Sequence, residues 1–89
     1  GPLNESPCFM VKGCDIRAVD TVGDGGTHLK MKLEMDKQVL GAIWWRQGDL
    51  AKLLSAGKRV DVAFSLVMNT WNGYQKVELE VKDMRPCED

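Results

Sequence analysis

The chain has 89 residues, enough for one small domain with a single core. Hydrophobic residues make up 44% and charged residues 28%, an ordinary globular balance, and no apolar run approaches the ~20 residues of a membrane-spanning helix. Twelve Lys and Arg against thirteen Asp and Glu give a net charge of −1, which speaks against clamping nucleic acid by bulk positive charge and leaves only a local basic strip.

Gly1-Pro2, with no initiator Met, matches the scar left by a tag-removing protease, so the chain reads as a domain excised from a longer parent. The start lacks a basic region followed by an apolar core, so no signal peptide is read, and residues 1–7 read as a disordered leader. Phe9 to about Asp20 reads as a long first strand. Met10, Cys14, Ile16 and Ala18 share one parity, Phe9, Val11 and Val19 the other, and Gly13 suits a bulge or bend. Thr21 to Gly26 is a glycine-rich loop without phosphate-cradle spacing. His28 to Met35 alternates cleanly, with Leu29, Met31, Leu33 and Met35 on one face and His28, Lys30, Lys32 and Glu34 on the other. Asp36-Lys37 is a two-residue turn, and Val39 to Arg46 is a third strand.

Asp49 reads as the N-cap of a two-turn helix, with Leu50, Leu53 and Leu54 at helical spacing and Gly57 as its stop. Two alternating runs follow, Val60–Met68 and Tyr74–Asp83, joined by Trp71-Asn72-Gly73. Asn-Gly tolerates the positive φ angles of a type I′ turn, the strongest short-range hairpin signal in the chain. Trp71 reads as a packing anchor for that turn. The order β-β-β-α-β-β is that of a mainly β, five-stranded OB-fold Greek-key barrel with one short helix between strands 3 and 4. It occupies residues 8–86, with 87–89 as a tail. A long, glycine-bent first strand serves both halves of the barrel, and the helix plugs one end with its leucines facing in.

No catalytic constellation is present. The carboxylates have no metal-ligand spacing, the serines lack a histidine partner, and His28 is the only histidine. Cys8, Cys14 and Cys87 are odd in number and form no CxxC pair, which fits a reduced, cytoplasmic compartment; Cys8 and Cys87, near the two ends, offer a chance disulfide. What remains is a binding module. OB folds take oligonucleotides on the face of strands 2 and 3, where Lys30 and Lys32 would meet phosphate and an exposed aromatic would stack on a base. Trp44 and Trp45 are adjacent in a strand and point to opposite faces. A two-residue turn at Asp36-Lys37 pairs Leu29 with Trp44, which puts Trp44 inside and Trp45 outside beside His28; a one-residue bulge reverses this.

Gly48–Leu54, Gly57–Leu66, Asn69–Gly73 and Val77–Pro86, with His28–Leu33 and Ala42-Ile43, resemble the C-terminal OB domain of bacterial RecJ-type single-strand-specific DNA exonucleases. The resemblance covers about Val11 to Pro86, and the order and spacing of the motifs carry it. It implies a cytoplasmic parent that degrades single-stranded DNA from 5′ to 3′ in repair and recombination. Its chemistry would lie in upstream DHH-type domains that hold Mn²⁺ or Mg²⁺, none of whose ligands is in this sequence. The chain departs from the family pattern in having Trp44 where a small residue is usual, while Trp45 stands where the family tends to carry an aromatic. That favours Trp45 in the core and Trp44 outside, against the hairpin register, and the choice leans slightly to Trp44. Arg46 and Gln47 also replace smaller residues. The candidate nucleic-acid contacts are therefore His28, Lys30, Lys32, Arg46 and one of Trp44 or Trp45. The expected ligand is single-stranded DNA, bound weakly by a monomeric domain with no membrane role. The alternatives are a module that docks a partner such as a single-strand-binding protein, and a structural lid on the parent nuclease.

Overall fold

The structure, a computed structural model, describes residues 7–87 and their side chains apart from that of Trp71. Its strands are β1 (Phe9–Val22), β2 (His28–Met35), β3 (Gln38–Trp44), β4 (Arg59–Trp71) and β5 (Tyr74–Pro86). They form a closed barrel in the order β1-β2-β3-β5-β4, as the sequence order implied. Of the leader at 1–7 and the tail at 87–89, only Pro7 and Cys87 fall within the described residues, and the role read for Trp71 as a packing anchor lies outside the described side chains.

Closure depends on β1. Its first half pairs with β4, from Phe9↔Phe64 to Asp15↔Arg59, and its second half pairs with β2, from Asp15↔Glu34 to Val22↔His28. One strand can serve both neighbours only by bending. Gly13, at φ +78°, sits at a register shift between Val11 and Cys14, and a second shift falls between Ile16 and Ala18. Each extra residue reverses the in-out alternation. The inward side chains are Val11, Cys14, Ile16 and Val19, whereas Met10 and Ala18 are exposed. Simple parity groups Met10 and Ala18 with the buried pair, and the two bulges correct it.

The core is Cys14, Ile16, Leu29, Met31, Leu33 and Ala42 from one half of the barrel and Val60, Val62, Phe64, Leu79 and Val81 from the other. Both tight hairpins follow the turn chemistry. Asp36 and Lys37 have φ 51° and 66°, and Asn72 and Gly73 have φ 49° and 80°, the two positive values of a type I′ turn. β3–β5 is the one parallel pairing among the described residues, and it spans only Ala42↔Leu79 and Ile43↔Glu80. No disulfide links Cys8, Cys14 or Cys87 among the described residues, so the chance Cys8–Cys87 bridge is not formed.

The expected helix is shorter and tighter than its spacing suggested. It is a 3-10 turn over Gly48–Lys52, with Gln47 at the N-cap position and no side-chain cap, so Asp49 lies inside the first turn instead of capping it. Leu50 and Leu54 pack on the core, but Leu53 is 67% exposed and not one of the inward leucines. The turn is anchored by backbone contact. The Gly48 N–H donates to the Thr27 carbonyl at 2.9 Å, and a Cβ on Gly48 would sit 1.8 Å from the Gly26 oxygen. Gly48→Ala is therefore expected to cost about 3 kcal/mol or more in urea unfolding, because the obstacle is backbone and cannot rotate away. At Gly73 an added Cβ meets nothing within 4 Å, so Gly73→Ala carries only the left-handed penalty, about 1 kcal/mol. Equal losses for the two variants would refute the close approach at Gly48.

Candidate nucleic-acid interface

The outer face of β2 and β3 carries the residues singled out from the sequence. β2 alternates as expected, so His28, Lys30 and Lys32 face outward while Leu29, Met31 and Leu33 are buried. The two-residue turn holds β3 in the unbulged register, with Leu29 opposite Trp44. Trp44 accordingly packs against the core and Trp45 is 51% exposed. The lean toward Trp44 as the exposed ring is thus corrected. Local hairpin geometry, which permits no slip across a type I′ turn, outweighs the family pattern of residue sizes.

Trp45 is held in place. Its ring meets His28 edge to face, with centroids 4.8 Å apart and an interplanar angle of 82°, and its indole Nε1–H donates to Glu80 Oε2 at 3.2 Å. His28 is fixed in turn by the N–H of Arg46, which donates to Nδ1 at 2.9 Å, so the neutral imidazole carries its proton on Nε2. Arg46 reaches that position through a left-handed backbone, φ 66°, in the turn two residues past the end of β3. The β1–β2 loop closes against the same histidine: a Cβ on Gly23 would lie 2.9 Å from the imidazole ring.

A groove of about 280 Å³ opens beside Trp45, walled by Lys30 and Ile43 on one side and by Val67, Asn69, Glu78 and Glu80 of the β4–β5 hairpin on the other. Its charge is largely balanced. Lys30 Nζ donates to Glu78 Oε2 at 2.9 Å, Lys82 Nζ donates to Glu80 Oε1 at 2.6 Å, and Asn69 also donates to Glu78. The Lys30 and Asn69 hydrogen bonds hold the Glu78 carboxyl below its usual range, and the Lys82 and Trp45 hydrogen bonds do the same for Glu80. Lys32 and the Arg46 guanidinium make no ion pair among the described residues.

The structure therefore brings together His28, Lys30, Trp45 and Arg46, keeps Lys32 on the same face, and withdraws Trp44. Sequence reasoning missed Glu78 and Glu80. They lie on the outward parity of β5, a legible signal, but their approach to Lys30 and Trp45 depends on the short β3–β5 seam, for which no local motif exists. Among the described residues no group of three or more His, Cys, Asp or Glu could hold a metal ion, and no helix is long and apolar enough to cross a membrane.

A closed five-stranded barrel that shares its bent first strand between two halves, with a short turn between strands 3 and 4, is an OB fold. A mitochondrial single-stranded DNA binding protein of S. cerevisiae superposes with a TM-score of 0.65 at 14% identity, over 92% of this chain and 96% of that one, a likeness of fold alone. The chain belongs to the RecJ OB domain family, whose sequence model matches residues 1–83. It is 28% identical over 83 residues to the single-stranded-DNA-specific exonuclease RecJ of Bacillus subtilis, covering 93% of this chain and 11% of that protein. It is 34% identical to RecJ from Thermus thermophilus in complex with Mg²⁺, with a TM-score of 0.68, covering 100% of this chain and 13% of that one. The chain thus spans about a tenth of the length of these relatives.

The carboxylates set the acid limit of the fold. A carboxyl depressed in the folded state adds stability that is complete above its unfolded value and is lost as pH falls through its folded value. Unfolding free energy should therefore decline as pH drops below the ordinary glutamate value of 4.5, and Glu78→Gln should make that decline shallower in denaturant titrations. An unchanged slope would refute the Lys30–Glu78 contribution. Trp44→Ala should cost about 2 kcal/mol and Trp45→Ala under ~1 kcal/mol, since only Trp44 packs on the core.

Proposed function

We propose that this OB domain binds single-stranded DNA along the Trp45 groove and so assists a RecJ-type parent that degrades such strands from 5′ to 3′. The observation that carries this reading is the exposed Trp45 ring, held rigid by His28 and Glu80 at the rim of a groove that also carries Lys30. Trp45 would stack on a base, and Lys32 and Arg46, with no carboxylate of their own, would meet phosphate. Lys30 would contribute less, because a phosphate must compete with Glu78 for its ammonium. The domain's own affinity is therefore weak and salt-sensitive. In this reading hydrolysis, with Mn²⁺ or Mg²⁺, takes place in other domains of a bacterial cytoplasmic protein of repair and recombination. The names of the relatives, a single-stranded-DNA-specific exonuclease and RecJ in complex with Mn²⁺ or Mg²⁺, support the strand and the metals of this reading, in which this chain contributes grip and not chemistry.

A labelled oligothymidylate titrated at low salt tests it. Tryptophan emission should be quenched, anisotropy should rise, and both should fade as salt increases. Trp45→Ala should weaken binding roughly 5-fold to 100-fold, the range of one lost base stack. Glu78→Gln should tighten binding several-fold, because it removes a charge from the groove and frees Lys30. Flat emission and anisotropy at high oligonucleotide concentration would sink direct DNA binding by this domain.

A further inference from the structure

The groove beside Trp45 has two unlike walls. On the β2 side stand the cations: Lys30 borders the groove, Lys32 follows it on the same face, and Arg46 stands just past the end of β3. On the hairpin side stand Asn69, Glu78 and Glu80. The floor between them is apolar. Ile43, 9% exposed, lies in register between Lys30 and Glu80, and Val67 is paired with Glu78. A Cβ on Gly41 would lie 3.2 Å from Glu78 Oε2, so the Glu78 carboxylate occupies the space that a side chain at 41 would take. The hairpin wall is chiefly a hydrogen-bond acceptor. Glu78 takes Lys30 on Oε2 and Asn69 on Oε1, and Glu80 takes Trp45 on Oε2 and Lys82 on Oε1. Each of these oxygens has accepted one hydrogen bond and keeps a second lone pair. Asn69 Oδ1 accepts none among the described residues. Both carboxyls are held below their ordinary range, so they stay ionised at neutral pH.

We propose that the Trp45 groove selects bases that carry an exocyclic amine, with Glu78 and Glu80 accepting from that amine and thymine disfavoured; this rests on the single-strand reading above. The two walls sort a bound strand by charge. Phosphate is repelled by the carboxylates and attracted by Lys32 and Arg46, so the backbone runs along the β2 side. A base stacked on Trp45 then turns its edge to the hairpin wall. In a single strand the Watson–Crick edge is unpaired and free to be read. Cytosine, adenine and guanine present amine hydrogens to a carboxylate. Thymine presents O4 instead, which faces the carboxylate acceptor to acceptor.

Fluorescein-labelled oligodeoxycytidylate and oligothymidylate of equal length, compared by anisotropy at low salt and pH 8, test it. Both strands carry single-ring bases, so stacking on Trp45 is nearly matched and the base edge decides. The cytidylate should bind at least about fivefold more tightly, the low end of what one side-chain contact to a base discriminates. Glu78→Gln keeps the shape of the side chain, removes its charge and adds an N–H that can donate to thymine O4. It should tighten the thymidylate several-fold and the cytidylate less, so the ratio between the strands narrows. Lys32→Ala should weaken both strands by the same factor, because phosphate carries no base identity. Equal binding of the two strands by the wild-type chain would overturn the proposal. So would a Glu78→Gln chain that tightens both alike, the result expected if Glu78 only holds Lys30 and repels phosphate. If neither strand binds, the single-strand reading falls and this one with it, whereas equal binding removes this one alone.

Discussion

The hydrogen bond from the Gly13 N–H to Asp61 underlies most of this molecule. A barrel this small closes only if β1 changes partners midway, and the bulge that allows it leaves backbone groups without ladder partners. The donor goes to a buried carboxylate and the acceptor to Arg59. Burial pushes Asp61 up, but the Gly13 N–H, Arg85 and the Cys87 thiol outweigh it and keep the carboxyl below its usual range. The bend, the closure and the position of two arginines are thus one construction. Gly13 is glycine for both reasons that matter there: φ is positive, and a Cβ would lie 2.8 Å from the Arg59 guanidinium.

The Trp45 groove and the network around Asp61 differ by charge arrangement more than by charge count. Around Trp45, carboxylates pair with Lys30 and Lys82 and quiet the field. A strand of nucleic acid bound there would be held by one ring and a few exposed cations, a weak grip. Around Asp61, carboxylates tether the two arginines: Arg85 to Asp61 and Arg59 to Asp15.

Much of the barrel was legible because its signals are local. The alternation of β2, the Asn72-Gly73 turn and the Asp36-Lys37 turn each fixed a register within a few residues, and Leu29 opposite Trp44 follows from the last of these. The misreadings arose where the cause is distant. The parity of β1 failed because its two bulges answer to β4 and β2, not to β1. The helix shrank to a 3-10 turn because Gly48 is drawn onto the Gly26–Thr27 backbone. The pairing of Lys30 with Glu78 was hidden because it crosses the seam between β3 and β5, 48 residues apart in the chain.

That seam is only two residue pairs long, against twelve pairs along β4–β5. It is the natural place for the barrel to open. Ile43 and Glu80, paired across it, also line the groove, and Trp45 hydrogen-bonds over it to Glu80. The groove floor is therefore the barrel's zip. A ligand lying along it would bridge the two strands that share the fewest pairs, so filling the groove would favour the closed barrel.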